Sequence, residues 1–107
     1  MRSAELDEAV ASYEQAALRA FAEVSTLLVA HEKLGLARER RGDNVEQLRM
    51  SVDLSLQRYR DGVSSYFEVL EAQQQFFPAQ IELVRLQREE IVTLVDLYRA
   101  LGGGWRL

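Results

Sequence analysis

The sequence predicts an all-α fold, a long antiparallel coiled-coil helical hairpin. Three observations carry that prediction. Helix breakers are scarce, with six Gly and one Pro in 107 residues, and three of the Gly sit together as Gly102-Gly103-Gly104. The strong helix formers Ala, Leu, Glu, Arg and Gln dominate from Glu5 to Arg60. Apolar residues recur in alternating steps of four and three along two stretches, the 3.5-residue period of helices that wind on one another. The same composition excludes several classes. At 48% hydrophobic and 28% charged the chain is not compositionally disordered. Without Cys it has no thiolate metal or redox chemistry. A net charge of −4 opposes the phosphate attraction that nucleic-acid binding needs. The longest apolar run, Leu27-Leu28-Val29-Ala30, is far short of the roughly 20 residues of a membrane helix. Met1-Arg2-Ser3-Ala4-Glu5 leads straight into charged, periodic sequence, so no signal peptide is expected.

The first helix is expected over 5–60, roughly 85 Å at 1.5 Å per residue. Its seam runs through Leu6, Val10, Tyr13, Ala17, Val24, Leu27, Leu34, Val45, Leu48, Val52 and Tyr59. His31, Arg38 and Arg41 interrupt it, and Gly35 and Gly42 lie close by. Each Gly costs about 1 kcal/mol against Ala in a helix, so a bend or local fraying is expected between Gly35 and Asn44. His31 is the only His, and with no acid–His pair on a partner helix it is read as packed rather than metal-binding.

The tip is expected at 61–64, Asp61-Gly62-Val63-Ser64, with Gly62 in the left-handed conformation that ends a helix. Ser65 and Glu68 have the spacing of a capping box that opens the second helix.

That second helix is expected over 65–101, roughly 55 Å long. Its expected seam is Val63, Phe67, Leu70, Phe77, Ile81, Val84, Ile91, Val95 and Tyr98, broken only by Gln74 and Arg88. Folding about the tip would pair Leu48 with Phe77, Val45 with Ile81 and Leu27 with Tyr98. A second apolar stripe, Val69, Phe76, Leu83 and Leu97, shares the helix with a nearly all-acidic one, Glu68, Gln75, Glu82, Glu89 and Asp96. Pro78 removes one helical hydrogen bond and predicts a kink. A Gly-rich tail, 102–107, follows. Leu6, Val10, Tyr13, Leu18 and Phe21 reach beyond the shorter second helix, so self-association into a dimer or higher assembly is expected. Two apolar directions separated by a polar wedge suit either a stave in a wall of helices or a dimeric four-helix bundle acting as a soluble scaffold. No nucleophile–base pairing, and hence no enzyme and no cofactor, is expected.

Two stretches bear a resemblance. Arg58-Tyr59-Arg60-Asp61-Gly62-Val63-Ser64-Ser65-Tyr66-Phe67-Glu68-Val69-Leu70-Glu71-Ala72-Gln73 and Leu97-Tyr98-Arg99-Ala100-Leu101-Gly102-Gly103-Gly104-Trp105 resemble the outer-membrane efflux proteins, the TolC-like channels of tripartite export pumps. The lipoprotein subgroup of multidrug and metal systems is the nearest in pattern. The resemblance covers nearly the whole chain and implies the last part of such a protein: most of a long helix, the periplasmic tip and the returning helix. It implies a trimeric parent channel in the outer membrane and periplasm that works with a periplasmic adaptor and an inner-membrane pump. Membrane strands, a first repeat and a lipid-accepting Cys are not found in the 107 residues. By the same resemblance Glu68 and Glu71 fall where the family carries entrance acids, three copies of which would form a carboxylate ring favouring cations. Gly62, Val63 and Ser65, with Arg58 and Arg60 beside them, fall at the tip that docks the adaptor. Arg58 and Arg60 also complement a helix C-terminus, and Gly62 also simply makes the turn. A chain of this kind is not expected to conduct alone.

Overall fold

The computed structural model describes residues 3–102, which form two helices, α1 (Ala4–Arg60) and α2 (Tyr66–Ala100), joined by one tight turn. No strand occurs among the described residues. The fold is the all-α helical hairpin that the periodicity predicts. Most of the Gly-rich tail, including Trp105, lies outside the described residues.

The start of α1 and the ends of both helices have local chemical causes. Ser3 caps α1: its Oγ accepts from the Leu6 amide at 3.2 Å, satisfying one of the free donors at a helix start. At the end of α1, Gly62 takes φ 77°. Gly62 N–H donates to the Tyr59 carbonyl at 3.1 Å and Val63 N–H to the Arg58 carbonyl at 2.9 Å. That pair of bonds is a Schellman motif, which only a residue comfortable at positive φ closes cheaply. Gly102, at φ 101°, ends α2 in the same way, its N–H donating to the Arg99 carbonyl at 3.1 Å.

The chain falls into two compact units, one of residues 33–91 and one containing the described residues 3–32 and 92–102. In the first, α1 turns Leu34, Ala37, Arg41, Val45, Leu48 and Val52 inward, buried or half-buried. α2 answers with Val69, Phe76, Ala79 and Leu86, all buried, Val69 completely. In the other unit the same alternation continues through Thr93 and Leu97, both buried. There Leu6, Val10, Tyr13, Leu18 and Phe21 are exposed.

This corrects the expected seam of α2. Phe77, Ile81, Val84 and Ile91, expected inside, are exposed, Ile81 by 70% and Phe77 by 51%. The stripe expected to be secondary is the one that meets α1. Leu48 accordingly lies along a groove with Gln75, Pro78 and Ala79 rather than against Phe77, and Leu27 lies beside Asp96, Arg99 and Ala100 rather than Tyr98.

Charge and size explain the exchange. The α1 seam carries Arg38 and Arg41, and the expected register would have set Arg88 against them. The observed phase instead brings Glu90 to Arg38, whose Nε donates to Glu90 Oε1 at 2.5 Å. Inward positions of α2 also alternate bulky residues with Ala72, Ala79 and Thr93, which lets the helices approach closely; the outward stripe is uniformly bulky.

Both weak points named from the sequence lie within continuous helix. The helix is unbroken from Gly35 to Asn44, so the two Gly do not interrupt it. Arg41 turns back along its own helix there, donating to Asn44 Oδ1 at 2.9 Å. Pro78 sits inside α2 without ending it.

Candidate functional site

The turn between the helices gathers most of the residues that the sequence singles out. Its backbone is set by the Schellman closure at Gly62, and one ion pair crosses it. Arg58 Nε donates to Glu68 Oε1 at 3.3 Å, linking the last turn of α1 to the first turn of α2. Both side chains keep 44% of their surface in solvent, so the pair orients more than it stabilises.

That contact replaces the expected capping box. Glu68 N–H donates to the Ser65 carbonyl at 3.3 Å, while the Glu68 carboxylate goes to Arg58. A charge-assisted bond to guanidinium outcompetes a bond to a neutral amide. Ser65 is exposed at the helix start, and the neighbouring Ser64 Oγ is buried without a hydrogen-bond partner.

The remaining named residues point outward. Glu71 and Arg60 are exposed, and Val63 presents 65% of its surface at the apex. The turn thus offers exposed Val63 together with exposed Arg60 at the end of α1 and Glu71 in the second turn of α2. Nothing in it resembles a nucleophile with its base. No group of three or more His, Asp or Glu capable of holding a metal occurs among the described residues.

One contact at the turn escaped the sequence reading. Tyr59 and Tyr66 meet edge to face, ring centroids 5.0 Å apart and planes at 68°. Such a pair contributes about 0.5–1.5 kcal/mol beyond its buried area. Two Tyr flanking a Gly turn is the signal that could have found it.

Away from the turn the strongest electrostatics lie on α2. Arg85 bonds both Glu82 and Glu89, three and four residues away on the same helix. Its hydrogen bond holds the Glu82 carboxyl below its ordinary value, and the same bond, with the charges of Glu82 and Glu89, raises Arg85. On α1, Arg49 lowers Glu46 in the same way. These are solvated helix-face pairs rather than a site.

Two long helices closed by one tight turn define a helical-hairpin protein, and the comparisons define which. The family described as "Outer membrane efflux protein" matches residues 1–103, so the chain belongs to the outer membrane efflux protein family. It is 39% identical over 99 residues to the solvent efflux pump outer membrane protein SrpC of Pseudomonas putida, covering 92% of this chain and 21% of that protein. It is 36% identical over 106 residues to the pyoverdine export outer membrane protein OpmQ of Pseudomonas putida, covering 99% of this chain and 23% of that protein. Outer membrane protein OprJ of Pseudomonas aeruginosa is 33% identical over 105 residues, covering 98% and 22%. The chain thus spans about a fifth of the length of these relatives.

Proposed function

We propose that this chain is a wall element of an outer-membrane efflux channel, the component of a tripartite pump that carries small molecules across the periplasm and outer membrane. The observation that carries the reading is the outward stripe of α2. A hairpin whose second helix is apolar on both opposite sides is built to have a neighbour, and membership of the efflux family supplies a helical channel wall as its setting. The parent channel is a trimer in the outer membrane and periplasm, and its partners are a periplasmic adaptor and an inner-membrane pump. The hairpin alone does not conduct.

Within that reading the turn is the end that meets the adaptor. Gly62 shapes it, exposed Val63 and Ser65 form the contact, and Arg58 and Arg60 supply charge. Glu68 and Glu71 are the entrance acids. Because Arg58 offsets Glu68, the exposed Glu71 contributes the larger share of a carboxylate ring's preference for cations.

The test is a chimera in which this chain replaces the matching fifth of SrpC. Solvent tolerance of cells carrying the chimera is expected to match that of cells carrying SrpC. Glu71→Lys in the chimera is expected to reduce it, with unchanged amounts of protein in the outer membrane. A correctly inserted chimera that exports nothing would overturn the assignment.

A further inference from the structure

In the unit containing residues 3–32 and 92–102, α2 ends beside Leu27: Asp96, Arg99 and Ala100 line one groove with Glu23 and Leu27. Before that level, every residue of α1 from Ala4 to Glu23 is exposed. The stretch nevertheless keeps the apolar seam, through Leu6, Val10, Tyr13, Ala17 and Ala20 to half-buried Val24. It is roughly 30 Å of helix. Residues 103–107 reach at most about 18 Å when fully extended, too short to cover it.

The stretch is complementary to itself when two copies run antiparallel. With Tyr13 of one copy opposite Ala17 of the other, Val10 falls opposite Ala20 and Leu6 opposite Val24. Two of these three layers set a bulky side chain against Ala. The twofold axis repeats each of them, so six layers interdigitate. Sliding one copy by a heptad in either direction leaves four. On the flanks the axis sets Ala16 against Ala16 and Glu14 against Glu14, while Asp7 falls beside Phe21 and Ala9 beside Glu23.

The helix ends match electrically. In this arrangement α1 of one copy starts where α2 of the other stops, and runs in the same direction. A helix N-terminus with its partial positive charge thus follows a C-terminus with its partial negative one. The side chains agree, since the first turn of α1 carries Glu5 and Asp7 and the last turn of α2 carries Arg99. A parallel pair would instead set Glu5 and Asp7 against their own copies.

We propose that two copies of this chain associate through residues 4–24 of α1 as an antiparallel twofold pair, each α1 continuing the track of the other copy's α2. The contact is isologous and closes at two copies. It uses neither the turn nor the outward stripe of α2, and so goes beyond the channel reading.

The chain has no Cys, so introduced thiols report this contact alone. Chains bearing Leu6→Cys are mixed with chains bearing Val24→Cys in a glutathione redox buffer, with helicity followed by circular dichroism. The mixture is expected to yield at least tenfold more disulfide dimer than either variant alone, because like thiols then lie about 27 Å apart. As much dimer from Leu6→Cys alone as from the mixture would show a parallel pair and overturn the proposal. So would the lack of mixed dimer from chains that remain helical. In the same mixture, Arg99→Glu is expected to lower the yield about threefold and Glu14→Gln to raise it about twofold. Glu8→Gln, on the opposite side of α1, is expected to leave it unchanged, and equal effects of Glu8→Gln and Glu14→Gln would overturn the register. None of these results bears on solvent export by the SrpC chimera, so the two readings fail separately.

Discussion

The Glu90 carboxylate lies over Gly35. A Cβ built on Gly35 would come within 3.3 Å of Glu90 Oε2, while the other oxygen of that carboxylate accepts from Arg38. Gly35 and Arg38 occupy successive turns of one face of α1, so together they seat a single acidic side chain of α2.

That seat distinguishes the two Gly of α1. Nothing lies within 4 Å of a Cβ on Gly42. Gly42→Ala is therefore expected to stabilise by the full helix-propensity gain of about 1 kcal/mol. Gly35→Ala should yield visibly less, because the new methyl presses on a carboxylate that Arg38 holds. Thermal unfolding of both variants at one protein concentration checks the order, and equal gains would show that Glu90 moves freely.

Gly62→Ala has the opposite sign. At φ 77° an L-residue bears a steric cost of about 1–2 kcal/mol, and the Schellman closure that satisfies the Arg58 and Tyr59 carbonyls is weakened with it. A lower unfolding midpoint with unchanged helix content is the expected result.

Phe76 and Phe77 are adjacent, with ring centroids 5.8 Å apart, yet they face different ways: Phe76 is buried and Phe77 is half exposed. Phe76→Ala is expected to cost about 3 kcal/mol of folding stability. Phe77→Ala should leave unfolding nearly unchanged and weaken self-association. Denaturant unfolding read beside sedimentation separates the effects, and the reverse pattern would restore the seam first expected from the sequence.

Acid should loosen the helix faces in a defined window. Arg85 holds Glu82 below its ordinary 4.5, so the unfolded chain takes up that proton more readily than the folded one. The stabilisation is present above pH 4.5 and disappears as the pH falls through the lowered value. Glu82→Gln is expected to make the acid-side loss of helicity shallower, followed by circular dichroism.

Much of this was legible in the residues. Scarce breakers, a three–four apolar period and Gly62 between two such periods suffice for two helices and one turn. Each of these is a local property, since helix propensity and positive φ at Gly depend on a few neighbouring residues. The site was legible as a location but not as a set of contacts. Ser65 and Glu68 had the spacing of a capping box, yet Glu68 turned to Arg58, ten residues away across the turn. No local pattern weighs a distant guanidinium against a nearby amide.

The phase of α2 was the larger question. Its sequence carries two apolar stripes, each with the period of a packing helix, and the one richer in Phe and Ile was the natural choice for the seam. Local sequence establishes that both stripes exist, because each is a matter of spacing along one chain. Which of them turns inward depends on α1: its Arg38 receives Glu90, whose carboxylate lies over Gly35, where the expected register would have set Arg88. That choice is made by charge and volume across two helices at once, and it leaves Phe77 and Ile81 exposed on the outside.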